Sequence, residues 1–274
     1  LGLSRLPSGN LFVLGFGHGP NNDIPMVGQS MGAVQVPIAY AAVGAEVTNE
    51  DARQYSFGVN GNLAQDLGGA MREACDNLME LSIIFGTPDL GFNGWINYPG
   101  LTVMTPEASS AVPASTKWED KNGVEIVRDI NSALNFLWQN SRTIFKPTTI
   151  FLPLKQFAQI TNMPMVIGAT SASSGTGIAV NVIDYVVTNN VMYRVTGREL
   201  EIIPSRYLEG AGAGGSDRMV IMDRRKENQI LPFPLPYQLS EPQPKPLAVA
   251  WDAENKFGSY HVRQQGSMAY VDGI

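Results

Sequence analysis

Three stretches of this chain carry residue types whose spacing could do chemistry. Gly28-Gln-Ser30-Met-Gly32 has the pattern of a nucleophile elbow, where a serine sits on a sharp strand-to-helix turn. With His261 late in the chain, the order would suit acyl transfer with Ser30 as nucleophile and His261 as base. An elbow needs a sheet behind the serine and a helix after it. The segment after Ser30 instead reads as extended and contains Pro37, and the chain before it is too short to build such a sheet. A serine hydrolase using Ser30 and His261 remains a remote alternative.

Gly210-Ala-Gly212-Ala-Gly214-Gly215 fits the G-x-G-x-x-G fingerprint that places a dinucleotide phosphate at a helix N-terminus. The residues after it, Asp217-Arg-Met-Val-Ile-Met222, read as a strand, so a tightly turned or flexible glycine loop is the expectation. Gly15-Phe-Gly17-His-Gly19 likewise lacks a following helix. Zinc-type ligands are few, one Cys (Cys75) and two His (His18 and His261), and neither histidine has a nearby Asp or Glu at ligand spacing. No catalytic residue, cofactor or metal is expected. Arg224-Arg-Lys226 reads as a surface turn.

The elements that would position these residues are clearer than the chemistry. Residues 34–48 are small and β-branched and read as extended, with a helix start capped at Thr48. A helix is predicted over residues 62–85, where Leu67, Ala70, Met71, Ala74, Leu78, Leu81 and Phe85 recur at helical steps. Gly68-Gly69 is its weak point. Residues 86–123 read as loop, and a second amphipathic helix is predicted over 124–140 with Ile126, Ile130, Ala133, Leu134, Leu137 and Trp138 on one face. A strand over 148–153, a short helix over 155–160 and an ambiguous segment over 178–195 follow. Strands are predicted at 199–204, 218–223, 247–252, 258–263 and 267–271, and the six prolines of 232–246 force an extended path. Trp95, Trp138 and Trp251 read as core or interface anchors. The fold class is α+β.

Composition narrows the function. The chain has 274 residues, 44% of them apolar and 16% charged, which excludes broad disorder. Its 19 basic and 25 acidic residues give a net charge of −6, unlike a sequence-reading nucleic-acid binder. No apolar run reaches the roughly 20 residues of a membrane helix, and no signal-peptide pattern opens the chain. One cysteine precludes an internal disulfide. A long helix beside Gly- and Pro-rich extended segments makes sense if other chains cover it, which points to an assembly protein.

Several blocks carry a resemblance, in order. They are Leu81-Ser-Ile-Ile-Phe-Gly86, Gly94-Trp-Ile-Asn-Tyr-Pro99, Asp129-Ile-Asn-Ser-Ala-Leu-Asn-Phe-Leu-Trp138 and Thr149-Ile-Phe-Leu-Pro-Leu-Lys-Gln-Phe157. Leu208-Glu-Gly-Ala-Gly-Ala-Gly-Gly-Ser-Asp-Arg-Met219 and the closing Ser267-Met-Ala-Tyr-Val-Asp-Gly-Ile274 are the most specific. From about Asp23 onward the chain resembles a family of tailed-phage major capsid proteins. The resemblance implies the Hong Kong 97-type capsid fold, with an extended E-loop hairpin, a peripheral P-domain carrying a long spine helix, and an axial A-domain. It places the E-loop region at residues 1–40, the P-domain at 41–125 with the spine helix at about 62–85, the A-domain at 126–226, and a return to the P-domain at 227–274. The N-terminal arm that normally precedes the E-loop is shortened or missing, as proteolytic maturation or a partial chain would explain.

The same resemblance implies a non-enzymatic coat subunit that assembles with copies of itself in pentamers and hexamers around a double-stranded DNA genome. Scaffold, decoration and portal proteins and non-specific contact with packaged DNA are the further partners expected, with no membrane. The location would be the virion, after assembly in the host cytoplasm. Gly210, Gly212, Gly214 and Gly215 are the candidate capsomer-axis loop. Leu67, Met71, Ala74, Leu78 and Leu81 are the candidate packing face of the spine helix. A nanocompartment shell of the same fold and a β-rich tail or adhesin component are the alternatives.

Some relatives in this family crosslink neighbours through an isopeptide bond from an E-loop lysine. The first lysine here is Lys117, so residues 1–40 hold none. Intact particles boiled in SDS are expected to run as a single monomer band. A ladder of SDS-resistant multimers on a reducing gel would contradict this.

Overall fold

The structure is a computed structural model that describes residues 2–5, 11–14, 35–58, 63–111, 113–167 and 178–274. The chain divides into two units, Leu1–Val36 and Pro37–Ile274. Of the first, the described part is an antiparallel pair, β1 (Gly2–Arg5) with β2 (Leu11–Leu14). Ser30, His18 and the Gly15–Gly19 stretch lie outside the described residues.

The second unit opens with β3 (Ile38–Thr48), α1 (Asn49–Gly58) and α2 (Leu63–Phe85). Thr48 starts α1 as anticipated, its hydroxyl oxygen accepting the backbone N–H of Asp51 at 3.2 Å. Residues 86–123, read above as loop, contain the short strands β4 (Gly86–Thr87), β5 (Phe92–Asn93) and β6 (Thr102–Met104). Two- and three-residue strands are too short to show alternation, which is why periodicity misses them.

Then come α3 (Gly123–Asn140), β7 (Thr149–Leu152) and α4 (Leu154–Asn162). After them β8 (Pro164–Ile167) pairs antiparallel with β9 (Ile178–Asn181), a hairpin the sequence reading did not anticipate. The ambiguous segment resolves into β9, α5 (Val182–Thr188) and α6 (Val191–Thr196). The remaining strands are β10 (Glu201–Pro204), β11 (Arg218–Met222), β12 (Gln229–Ile230), β13 (Leu235–Leu239), β14 (Gln243–Lys245), β15 (Ala248–Gly258), β16 (His261–Val262) and β17 (Met268–Asp272).

A five-stranded mixed sheet, ordered β10-β7-β11-β17-β6, holds the centre. All five residues of β11 and of β17 are buried, as expected of inner strands covered on both faces. Successive side chains alternate between faces. Met219 and Ile221 therefore join Ile126, Ile130, Leu134 and Leu137 of α3 in one core, while Val220 and Met222 join Tyr98, Leu208, Tyr260 and Tyr270 in another. The apolar face anticipated for α3 is the face it buries.

The second sheet is built on β15, which pairs with β3 over eleven residues from Ala248↔Thr48 to Gly258↔Ile38 without a break. β13 and β14 share the other edge of β15. The β13 register breaks between Leu235 and Gln238, where Pro236 has no N–H to give. α2 crosses this sheet. Gly68, expected to weaken the helix, is where β13 comes close: Tyr237 Oη donates to the Gly68 carbonyl at 3.2 Å, and a Cβ at Gly68 would lie 3.6 Å from Leu239. The helix runs through both glycines unbroken.

Helix α3 starts with a capping box. Glu125 N–H donates to Asn122 Oδ1 at 3.0 Å, and the Glu125 carboxylate accepts from the Asn122 N–H at 3.0 Å and the Ser110 N–H at 2.7 Å. Chiefly through the Asn122 N–H, and then through Ser110, the Glu125 carboxyl is lowered from 4.5 to about 2. A lowered folded-state value contributes stability above the unfolded value, lost as pH falls from about 4.5 toward 2. The expected outcome is that Glu125→Gln flattens the fall of the thermal midpoint across that window relative to the parent chain. Parallel curves would show that the carboxylate contributes nothing to acid stability.

Candidate functional site

Among the described residues, the chemistry looked for in the sequence does not converge. His261 Nδ1 lies 3.0 Å from Tyr98 Oη and its ring meets the Tyr98 ring edge-on, so its surroundings are aromatic. Among the described residues no group of three or more His, Cys, Asp or Glu is placed to hold a metal. None of their helices is long and apolar enough to cross a membrane. Gly210–Gly215 leads into strand β11, without the helix a dinucleotide phosphate would need.

What the fold does build is an exposed apolar stripe along its longest described helix. With 3.6 residues per turn, the apolar residues of α2 fall into two stripes about a quarter-turn apart. Met71, Cys75, Met79 and Ser82 face inward, and Met79 packs with Ala39, Ala41, Phe92 and Phe257. Leu67, Ala74, Leu78, Leu81 and Phe85 form the second stripe. Leu67 is half-buried and Ala74 exposed, while Leu78, Leu81 and Phe85 are 50%, 47% and 46% exposed. Of the five candidate packing residues, Met71 is thus the one the chain itself buries. Asp66, Glu73, Asp76 and Glu80 are exposed on the remainder of the helix. Ile38 and Tyr40 on β3 and Leu90 after α2 are further large apolar groups more than half exposed.

The glycine loop is tightly turned and pinned. Gly210, Gly214 and Gly215 take φ of 65°, 68° and 77°, a left-handed region that strains any side chain. A Cβ on Gly212 would lie 2.7 Å from Ser216 Oγ. The Gly212 N–H donates to the Ser216 carbonyl at 2.7 Å, and the Gly210 N–H donates to Asp217 Oδ1 at 2.9 Å. Asp217 Oδ2 in turn accepts from Gln156 Nε2 at 2.6 Å, and the Ala213 N–H reaches Asp272 Oδ2 at 3.0 Å.

Asp272 is also the partner of Arg218, which donates through Nε and Nη2 at 2.6 and 2.7 Å in a buried, two-pronged pair. Arg218 Nη1 donates to the Ile96 carbonyl at 2.5 Å, and the guanidinium lies 4.3 Å from the Tyr270 ring centroid. These contacts connect the loop, the two inner strands and the segment after α2. The sequence shows each partner only as an isolated charge, so the network has no local signature. Removing one partner strands a buried charge, at a cost of roughly 3–5 kcal/mol. Asp272→Asn is expected to lose that much in denaturant unfolding, and Arg218→Met with Asp272→Leu to recover most of it. Equal stability of Asp272→Asn and the parent would remove the pair from the account.

Comparison with known proteins follows the same lines. No curated protein sequence matches. Among solved structures, the capsid of Myoviridae phage XM1 matches with a TM-score of 0.69 at 13% identity, covering 94% of this chain and 81% of that one. Microbacterium phage Oxtober96 matches with a TM-score of 0.52 at 11% identity, covering 98% and 84%. The satellite phage P4 procapsid, with its size determination protein, matches with a TM-score of 0.51 at 10% identity, covering 97% and 87%. At such identities the likeness speaks for the fold, which is the Hong Kong 97-type capsid fold anticipated from the sequence. A family model described as major capsid protein matches residues 15–274, and the chain belongs to the major capsid protein family.

Proposed function

We propose that this chain is the coat subunit of a tailed-phage head, closing with copies of itself, as pentamers and hexamers, into an icosahedral shell around double-stranded DNA. The observation that carries this beyond family membership is the outward apolar stripe on α2. Leu78, Leu81 and Phe85 stand about half exposed beside a stripe already satisfied by the chain's own sheet. Apolar surface of this kind is stabilising only when removed from water, at roughly 25 cal/mol per Å². Obligate interfaces of about 2,000–5,000 Å² supply that cover. The role is structural, and the location is the virion, after assembly in the host cytoplasm.

In this reading α2 is the spine helix, residues 41–125 begin the P-domain, 126–226 form the A-domain and 227–274 return to the P-domain. The A-domain sheet takes β17 from that returning segment and β6 from the 41–125 segment as further strands. Residues 1–40 are the E-loop region, with the β1–β2 pair inside it. Gly210, Gly212, Gly214 and Gly215 form the turn nearest the capsomer axis, where a rigid loop can repeat in five- and six-fold rings. Scaffold, decoration and portal proteins are the further partners.

The test is the native particle. Light scattering and negative-stain microscopy of the expressed chain are expected to show closed shells tens of nanometres across, and virions are expected to hold DNA. Particles filled with a protein cargo would make it a compartment shell instead. A chain that stays monomeric or dimeric would overturn the reading. Leu78→Asp with Leu81→Asp is expected to keep the monomer's circular dichroism and cut particle yield by at least about tenfold, the effect of roughly 1.4 kcal/mol lost per contact. Undiminished yield would take the stripe out of the interface.

A further inference from the structure

A cleft opens at the end of the central sheet opposite the glycine loop. It lies where the chain enters β7 and β10 and leaves β11, beside the end of α6, and encloses about 590 Å³. Four cations line it, Lys146, Arg198, Arg224 and Arg225, against two carboxylates, Glu201 and Asp223. The surplus is positive in a chain whose net charge is −6.

Both carboxylates are already engaged. Glu201 accepts from Arg224 Nη1 at 3.0 and 2.9 Å and from Thr149 Oγ1 at 3.1 Å. Asp223, 4% exposed, accepts from Arg225 Nε at 3.0 Å through both oxygens and from the Lys146 N–H at 3.1 Å. Arg225 Nη2 also donates to the Ile144 carbonyl at 3.2 Å. The two arginines are therefore held in place by groups of the cleft wall. Arg224 engages Glu201 through one nitrogen and keeps Nε and Nη2 for another acceptor. Lys146 Nζ and the Arg198 guanidinium have no partner among the described residues.

A cleft with surplus donors, surplus positive charge and both of its carboxylates already engaged fits an anion with several oxygens. Planar guanidinium forks favour phosphate geometry, with lysine adding a point charge. We propose that this cleft is a phosphate-binding site and that it holds the sugar-phosphate backbone of the packaged double-stranded DNA. The identity of that DNA rests on the shell reading above. The contact is non-specific, since every nucleotide presents the same phosphate.

The test uses the full chain, unassembled, titrated with a short labelled duplex over a series of salt concentrations. Each phosphate contact contributes about 0.9 to the slope of log K against log salt. Lys146→Ala with Arg198→Ala is expected to reduce that slope by about 2. Arg72→Ala, exposed on α2, is expected to leave it unchanged. Lys146→Arg with Arg198→Lys, which keeps both charges, is expected to restore most of the binding. Inorganic phosphate is expected to compete weakly for the same site. A slope that the double variant leaves unmoved, or that Arg72→Ala moves equally, overturns the proposal. Phosphate binding without duplex binding makes the cleft a small-anion site and overturns the DNA assignment. If the double variant binds duplex normally but fails to form shells, the cleft instead takes carboxylates of a neighbouring copy. Shell formation by the parent chain is scored separately, so a failure there strikes the coat-subunit reading and leaves the duplex result to judge the cleft.

Discussion

One buried guanidinium sets the geometry of the second unit. Arg218 bridges β11 to β17 through Asp272, and its remaining nitrogen fixes the Ile96 carbonyl in the segment that follows α2. That segment is itself hydrogen-bonded to the last turn of α2, from Trp95 N–H to the Ile83 carbonyl and from Ile96 N–H to the Ile84 carbonyl. Tyr270 adds a second tie, donating to the Trp95 carbonyl at 2.6 Å and accepting from the Tyr98 N–H at 3.0 Å. The direction of the long helix relative to the central sheet is thus transmitted through short, directional bonds. A buried ion pair is a weak source of net stability, because desolvation consumes most of its attraction. Its contribution here is orientation: a shell subunit must present its helix and its loops at reproducible angles, and a non-directional core would tolerate several.

The same economy explains why so much apolar surface faces outward. The second unit buries two cores around its sheet and one smaller cluster under α2, and among the large apolar residues left exposed, Leu78, Leu81 and Phe85 line up along one helix. Isolated exposed leucines are ordinary on protein surfaces, and a row of them at helical spacing is not. Family membership and this row point the same way, toward a subunit completed by its neighbours.

The sequence made the regular elements legible and left their arrangement hidden. α2 and α3 announce themselves through 3.6-residue periodicity, and β11 and β17 through apolar runs. Pairing was beyond reach, because β17 lies parallel to β6 across more than half the chain. The two stripes of α2 merge into one broad apolar face in the sequence, since only the sheet beneath decides which quarter is covered. The glycine loop was readable as a turn, but Asp217 and Asp272 as its anchors were not. The basic cleft left the faintest trace: Arg224-Arg-Lys226 looked like a solvated turn, and Lys146 and Arg198 lie far from it in sequence. Charges meet there because strand ends and a helix end converge, which no local pattern encodes.

The place of β17 has a consequence for the order in which the fold closes. It is an inner strand, flanked by β11 and β6, yet it is made of residues 268–272. Until that stretch is in place, β6 has no partner in the sheet, Arg218 lacks its carboxylate, and the tie from the sheet to the segment after α2 is incomplete. Long-range strand pairing of this kind closes late and slowly. The sheet, and with it the tie that directs α2, is complete only when residues 268–272 take their place between strands that precede them by about 50 and about 165 residues.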